Sequence, residues 1–269
     1  MLNIKARILT LAGLALSILM VPVAASAAEN WGKYEVGDRR SGYTYAAVET
    51  RDMQDDDFSN PAIIWLDQGE AMWSKTEGEA GKSCMSCHLD AAKSMKGVGT
   101  VYPKYDFKTK KLISLEQRIN RCRTDNMKAK AWKFDSSQML STMIYVRNQS
   151  FGMPMNVAID GNAAPFFAKG EKFFNQRRGQ LDLSCKNCHE DNPGKMARAN
   201  LLSQGQSNGF PTYRLKWQKP GSIHRRFSGC NKNVRAKPYG RGADEYNNLE
   251  LYVAWRGRGL PVETPAVRN

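Results

Sequence analysis

The stretches Cys84-Met85-Ser86-Cys87-His88 and Cys185-Lys186-Asn187-Cys188-His189 repeat one pattern, Cys-x-x-Cys-His, at a spacing of 101 residues. They absorb four of the six cysteines and two of the three histidines. Two thiols on one helical turn reach the two vinyl groups of a haem, and the histidine that follows aims its imidazole at the iron. Zinc and a thioredoxin-like redox pair compete for a bare Cys-x-x-Cys. Histidine attached directly to both copies favours covalent haem c. Cys84, Cys87, Cys185 and Cys188 are then the attachment residues, and His88 and His189 the proximal iron ligands. A chain that encloses two large, flat, apolar groups is constrained to short helices gathered around each.

The duplication extends past the motifs. The same offset of 101 sets Gly69-Glu70 on Gly170-Glu171, Met72-Trp73 on Phe173-Phe174 and Ser83 on Ser184. An offset of 108 lays SLEQRINRC, residues 114–122, over SIHRRFSGC, residues 222–230, matching Arg118 with Arg226 and Cys122 with Cys230. The second copy has therefore gained seven residues between its haem motif and its later cysteine. An offset of 107 then superposes Tyr145-Val146 on Tyr252-Val253 and Gly152-Met153-Pro154 on Gly259-Leu260-Pro261.

This repeat of about 100 residues predicts a mainly α chain: two cytochrome c-like haem domains related by internal duplication, with an N-terminal extension. The expected division is 28–60 for the extension, 61–158 for the first domain and 159–269 for the second. The extension ends in the acidic, polar stretch 49–61, the softest part of the chain. Each domain opens with a helix after Asn60 or Pro165, passes through its haem motif and a loop-rich stretch, and closes with an apolar-periodic helix. Those closing helices are SSQMLSTMIYVRNQ and DEYNNLELYVAWRGR, with Asp135, Ser136 or Asp244 as candidate N-caps. Trp73, Tyr145, Phe174 and Tyr252 are expected to pack core and haem.

Residues 1–27 have the pattern of a signal peptide: Lys5 and Arg7, an apolar run from Ile8 to Val23, then Ala25-Ser26-Ala27. The run is short for a bilayer span and lacks a stop-transfer flank, which predicts a soluble periplasmic protein with no membrane anchor. Loss of this segment lowers the formal charge from +14 to +12. Such a charge favours small anions, acidic proteins or an anionic surface; an exported chain has little occasion to meet nucleic acid.

The sixth iron ligand decides what each haem does. After His189 the one methionine is Met196, too near in sequence to cross to the distal face, which leaves His224 and Cys230 unless lysine or the terminal amine intervenes. The first haem has Met127, Met139, Met143, Met153 and Met155 downstream, and Gly152-Met153-Pro154-Met155 is similar to a methionine-presenting loop. Leu260 replaces Met153 in the second copy, however, whereas the cysteine recurs. The repeat therefore favours Cys122 and Cys230 as axial thiolates over a Cys122–Cys230 disulfide. Basic residues crowd both: Arg118, Arg121 and Arg123 around the first, Arg225, Arg226, Lys232, Arg235 and Lys237 around the second. They favour the thiolate and attract an anion, or hold haem propionates. Gly229, just before Cys230, opens access to the sulfur.

Two Cys-x-x-Cys-His sites, a later cysteine in each half and the segment RFSGCNKNVRAKPYG together resemble the SoxA family, the cytochrome c subunits of SoxAX complexes of thiosulfate oxidation. The resemblance covers essentially the whole chain after the signal peptide. It implies an L-cysteine S-thiosulfotransferase that joins thiosulfate oxidatively to a cysteine of a SoxYZ carrier protein, passing two electrons to haem and on to a c-type cytochrome. It further implies His88 and Cys122 on the first iron and His189 and Cys230 on the second. Cys230 would be the catalytic cysteine, carried as a persulfide, Arg226 would bind substrate, and a SoxX-type cytochrome would complete a heterodimer. The competing readings are a plain dihaem electron carrier and a thiosulfate dehydrogenase that forms tetrathionate.

Overall fold

The computed structural model describes residues 31–269, so the leader-like segment 1–27 lies outside it. Helices of the extension and first half are α1 (Val48–Asp55), α2 (Ile63–Ser74), α3 (Met85–His88), α4 (Ala91–Ser94), α5 (Leu115–Cys122) and α6 (Ser137–Asn148). Those of the second half are α7 (Ala164–Asn175), α8 (Cys185–His189), α9 (Ile223–Asn233) and α10 (Asp244–Arg256). Short strands join them: β1 (Glu35–Val36), β2 (Arg39–Arg40), β3 (Lys104–Asp106), β4 (Lys111–Ile113), β5 (Met196–Ala197), β6 (Asn200–Leu201), β7 (Thr212–Arg214), β8 (Lys219–Gly221) and β9 (Ala266–Arg268). Among the described residues no helix is long and apolar enough to cross a membrane.

Local chemistry sets the helix starts. Ser114 and Ser222 cap α5 and α9, accepting from the amides of Gln117 and Arg225, and Ser136 caps α6 by accepting from Met139. Two expectations shift. Pro165 sits inside the first turn of α7 rather than before it, where its missing N–H costs nothing, and Asp244 is the first residue of α10 instead of its cap. The stretch 49–61 is largely helical, because α1 packs against β9.

Each repeat is organised by the crossing of its first and last long helices, α2 on α6 and α7 on α10. Glycine permits both crossings. A Cβ on Gly69 would lie 2.2 Å from the Ser141 carbonyl oxygen, and one on Gly170 would lie 2.0 Å from that of Asn248. One turn further along, Trp73 meets Tyr145 with ring centroids 5.8 Å apart, and the equivalent Phe174 meets Tyr252 at 5.2 Å. The cores follow: Trp73, Tyr102, Ile119, Met139 and Met143 in one repeat, Phe174, Ile223, Phe227, Tyr246 and Leu249 in the other.

The hairpins β3–β4 and β7–β8 were not foreseen in the loop-rich stretches, yet they too repeat. Asp106 faces Lys111 in one register and Arg214 faces Lys219 in the other, an offset of 108 throughout. The seven-residue gain lies before them, in the loop that carries the β5–β6 hairpin. The fall of the offset from 108 to 107 also has a structural cause: after Cys122 the chain makes a π-helical turn, Arg123–Met127, holding one residue more than the α-helical path after Cys230. Beyond it the repeats are back in step. A Cβ on Gly78 would meet the Met127 carbonyl at 2.2 Å, and one on Gly179 the Val234 carbonyl at 2.1 Å.

The repeats meet about a pseudo-two-fold axis. Gly152 N–H donates to Val262 and Gly259 N–H to Met155; Met155 N–H donates to Leu260 and Val262 N–H to Met153, each at 2.9 Å. The Gly-Met-Pro segment is therefore half of a joint. Met155 is buried in it with its sulfur 3.6 Å from Arg147 Nη2, a packing role in place of methionine presentation. An apolar cluster containing Leu112, Met155, Val157, Leu251 and Val262 seals the joint. The extension clamps the C-terminus: Asn60 Nδ2 donates to the Pro265 carbonyl at 3.1 Å, and Thr50 Oγ1 to Asn269 Oδ1 at 2.8 Å.

Candidate active site

In the first repeat, α3 presents Cys87 exposed and His88 half-buried, with Cys84 at its N-cap. Trp73 backs this turn, its indole N–H donating to the Leu89 carbonyl at 3.0 Å and its ring 5.8 Å from that of His88. Cys122, the last residue of α5, lies against the motif: burial pushes the Cys84 thiol up, Arg123 opposes, and Cys122 adds to the rise. Two of the three arginines near Cys122 are committed elsewhere. Arg121 forks onto Asp106 with Nη2 to Oδ1 at 2.7 Å, while Arg123 pairs with Glu77 at 2.7 Å and stacks 3.6 Å over Trp132. Arg118 faces the haem motif, where burial and its charge hold His88 below the usual histidine range.

The second site is better braced. Ser184 and Asn187 cap α8 reciprocally, a capping box that fixes the turn carrying both thiols. His189 Nδ1 is 2.7 Å from the Ser203 carbonyl oxygen; the N–H must sit there, which leaves the Nε2 lone pair for a metal. Gly205, at φ +76°, passes so close that a Cβ would lie 2.9 Å from His189 Cγ. Ser203 and Gly205 both belong to the lengthened loop, so that loop orients the His189 ring. Among the described residues His88 has no such hydrogen bond.

Cys230, on α9, faces His189. Burial raises its thiol, while the charges of Arg226 and then Arg214 pull it below the usual thiol range. Arg226 has no ion-pair or hydrogen-bonding partner among the described residues. The other candidate, His224, is fully buried and committed at both nitrogens: Gly242 N–H donates to Nδ1 at 3.0 Å, and Nε2 donates to Glu250 at 3.0 Å. Met196 is exposed on the β5–β6 hairpin. All six cysteines are free, with no Cys122–Cys230 bond.

These residues fit haem c. A one-turn pair of thiols, an imidazole with its nitrogen freed by a backbone carbonyl, a facing cysteine and an aromatic wall of Phe173, Phe210 and Phe227 are the donors and the lining such a group requires. The arginines divide as the sequence could not show, since most near Cys122 are tied down. Arg214 and Ser203 escaped sequence reasoning. Aligning the two copies at an offset of 108 would have matched Arg214 with Asp106, whereas Ser203 acts through its backbone and leaves no side-chain signal.

Comparison with known proteins agrees with this architecture. A family described as SoxA/TsdA, cytochrome c domain, matches residues 68–155 and 169–262, the two repeats. The L-cysteine S-thiosulfotransferase subunit SoxA of Pseudaminobacter salicylatoxidans is 44% identical over 93% of this chain and 87% of its own length. The protein of the same name from Chlorobaculum tepidum is 30% identical over 95% of this chain and 96% of its own. The crystal structure of SoxXA from P. pantotrophus superposes with a TM-score of 0.83 at 44% identity, covering 86% of this chain and 87% of that one. Duplicated cytochrome c repeats, the shared fold and this identity over nearly the whole length establish that the chain belongs to the SoxA family of cytochrome c subunits.

Proposed function

We propose that this chain is the cytochrome c subunit of an L-cysteine S-thiosulfotransferase, paired with a SoxX-type cytochrome, that conjugates thiosulfate to a cysteine of a SoxYZ carrier protein. One observation carries it: the Cys230 sulfur lies beside the Arg226 guanidinium, which has no carboxylate or hydrogen-bonding partner among the described residues. Residues 159–269 form the catalytic domain, 61–158 a second haem domain and 28–60 the extension. Export follows cleavage after Ala27, which places the protein in the periplasm, where haem c is attached at both motifs.

Haem c, when bound, would supply a one-electron acceptor, held by His189 and Cys230 in this repeat and by His88 and Cys122 in the other. The protein's own residues do the rest. Arg226 holds the sulfonate oxygens and aims the sulfane sulfur at Cys230, which holds the whole thiosulfate through a sulfur–sulfur bond formed with loss of two electrons, until the carrier thiolate attacks the sulfane sulfur and displaces Cys230. In the net reaction a sulfur–sulfur bond forms between the carrier cysteine and the sulfane end of thiosulfate. The carrier thiol loses its proton and two electrons leave, singly, toward a c-type acceptor.

Cys230→Ser tests this directly. The carrier's thiosulfate-dependent mass gain should disappear while the absorption of the first haem survives. A variant that still conjugates at the wild-type rate refutes the assignment. Tetrathionate formed without carrier would indicate a thiosulfate dehydrogenase instead.

A further inference from the structure

The two repeats treat one pair of positions in opposite ways. In the first, Asp106 ends β3 and Arg121 precedes the cysteine of α5; they form a bidentate ion pair with both side chains largely buried. Hairpin register and helix alignment give their counterparts in the second repeat as Arg214, at the end of β7, and Gly229, before Cys230. A closed carboxylate–guanidinium pair is thus replaced by a guanidinium and a gap: a Cβ on Gly229 would meet nothing within 4 Å.

Arg214 has no carboxylate side chain as partner among the described residues. Its Nε donates to the main-chain oxygen of Asn269 at 2.7 Å and its guanidinium lies 5.0 Å from the Trp217 ring, and among the described residues neither terminal nitrogen has a hydrogen-bonding partner. Arg226 likewise has none. Arg226 and Cys230 both act electrostatically on Arg214, and both guanidiniums act on Cys230, so the three groups lie within reach of one another. Two half-buried cations this close repel each other unless an anion with several oxygens lies between them.

We propose that Arg214 is a second substrate-binding guanidinium, gripping the sulfonate end of thiosulfate together with Arg226, and that Gly229 keeps that side of Cys230 open to the dianion. The proposal rests on the reading of Cys230 as the reaction centre. It also explains the division of labour between the repeats. The Asp106–Arg121 pair fills and neutralises the corresponding place beside Cys122.

The test uses the holoprotein in complex with its SoxX-type partner. Binding of 35S-thiosulfate is measured by equilibrium dialysis, with inorganic sulfate as competitor, alongside KM and kcat for carrier conjugation. Arg214→Gln should weaken binding and raise KM by about tenfold or more, as expected for the loss of one charge-assisted contact, with kcat changed far less. Arg214→Lys should recover part of the loss, and both should keep the wild-type haem spectrum, which checks folding. The double change Arg214→Asp with Gly229→Arg, which rebuilds the ion pair of the first repeat, should reduce binding at least as much. Wild-type binding in the Arg214→Gln protein, or no dianion binding by the wild type, overturns the proposal. Conjugation that persists with an unchanged KM in these variants sinks Arg214 and leaves Cys230 standing. Arg214-dependent binding in a wild type that conjugates nothing does the reverse.

Discussion

Gly170 has no side chain to contribute, and that is why it is needed. Its Cα faces the backbone of α10 so closely that a methyl group would sit 2.0 Å from a carbonyl oxygen and 3.0 Å from Tyr252 Cβ. Backbone cannot rotate away as a side chain does, so the helices must separate, and the stack of Phe174 on Tyr252 opens with them. Gly170→Ala should cost about 1–3 kcal/mol, the usual scale of overpacking, read as a lower midpoint in urea unfolding of the holoprotein. An unchanged midpoint would mean that the crossing is looser than this geometry.

At the scale of elements, the lengthened loop of the second repeat is where the copies diverge in structure. Gly205 runs against the His189 ring at a positive φ, and Ser203 fixes its tautomer. Gly205→Ala should therefore disturb one haem alone, shifting the reduction potential or the visible spectrum of the second site and leaving the first unchanged. Equal shifts at both haems, or none, would contradict the role assigned to the loop. Much of this was legible beforehand. The motifs, the equivalent cysteines and the seven-residue gain stand in the sequence as spacings between recognisable residues. The β-hairpins did not, since strands of three residues have too little periodicity to show, and the π turn after Cys122 registered only as an offset that slipped by one. Ser203 acts through its carbonyl, which every residue has. Arg214 was one basic residue among many until β7 aligned with β3 and set it opposite Asp106.

At the scale of the whole molecule, the duplication leaves a polar knot on its own axis. Glu116 and His224 occupy equivalent places in α5 and α9, and both are buried together with Arg147 and Glu250. Neither Glu116 oxygen has a close hydrogen-bonding partner. Burial, and then repulsion from Glu250, raise the Glu116 carboxyl from the usual 4.5 to about 7, with His224 pulling the other way. The sign is opposite to that of Asp106, which the Arg121 hydrogen bond holds well below the usual carboxylate range and whose contribution is lost in acid. Glu116 in the folded protein keeps its proton where the unfolded chain has released it. Its contribution is whole below about 4.5, falls as pH rises from there to about 7, and is flat above. Glu116→Gln keeps the shape and removes the titration. Urea unfolding of the holoprotein at intervals between about pH 5 and pH 8 should show wild-type stability declining relative to the variant across the lower part of that range, with the difference levelling off near neutrality. A difference that does not vary with pH would mean that Glu116 is ionised throughout, with its charge balanced inside the knot by Arg147.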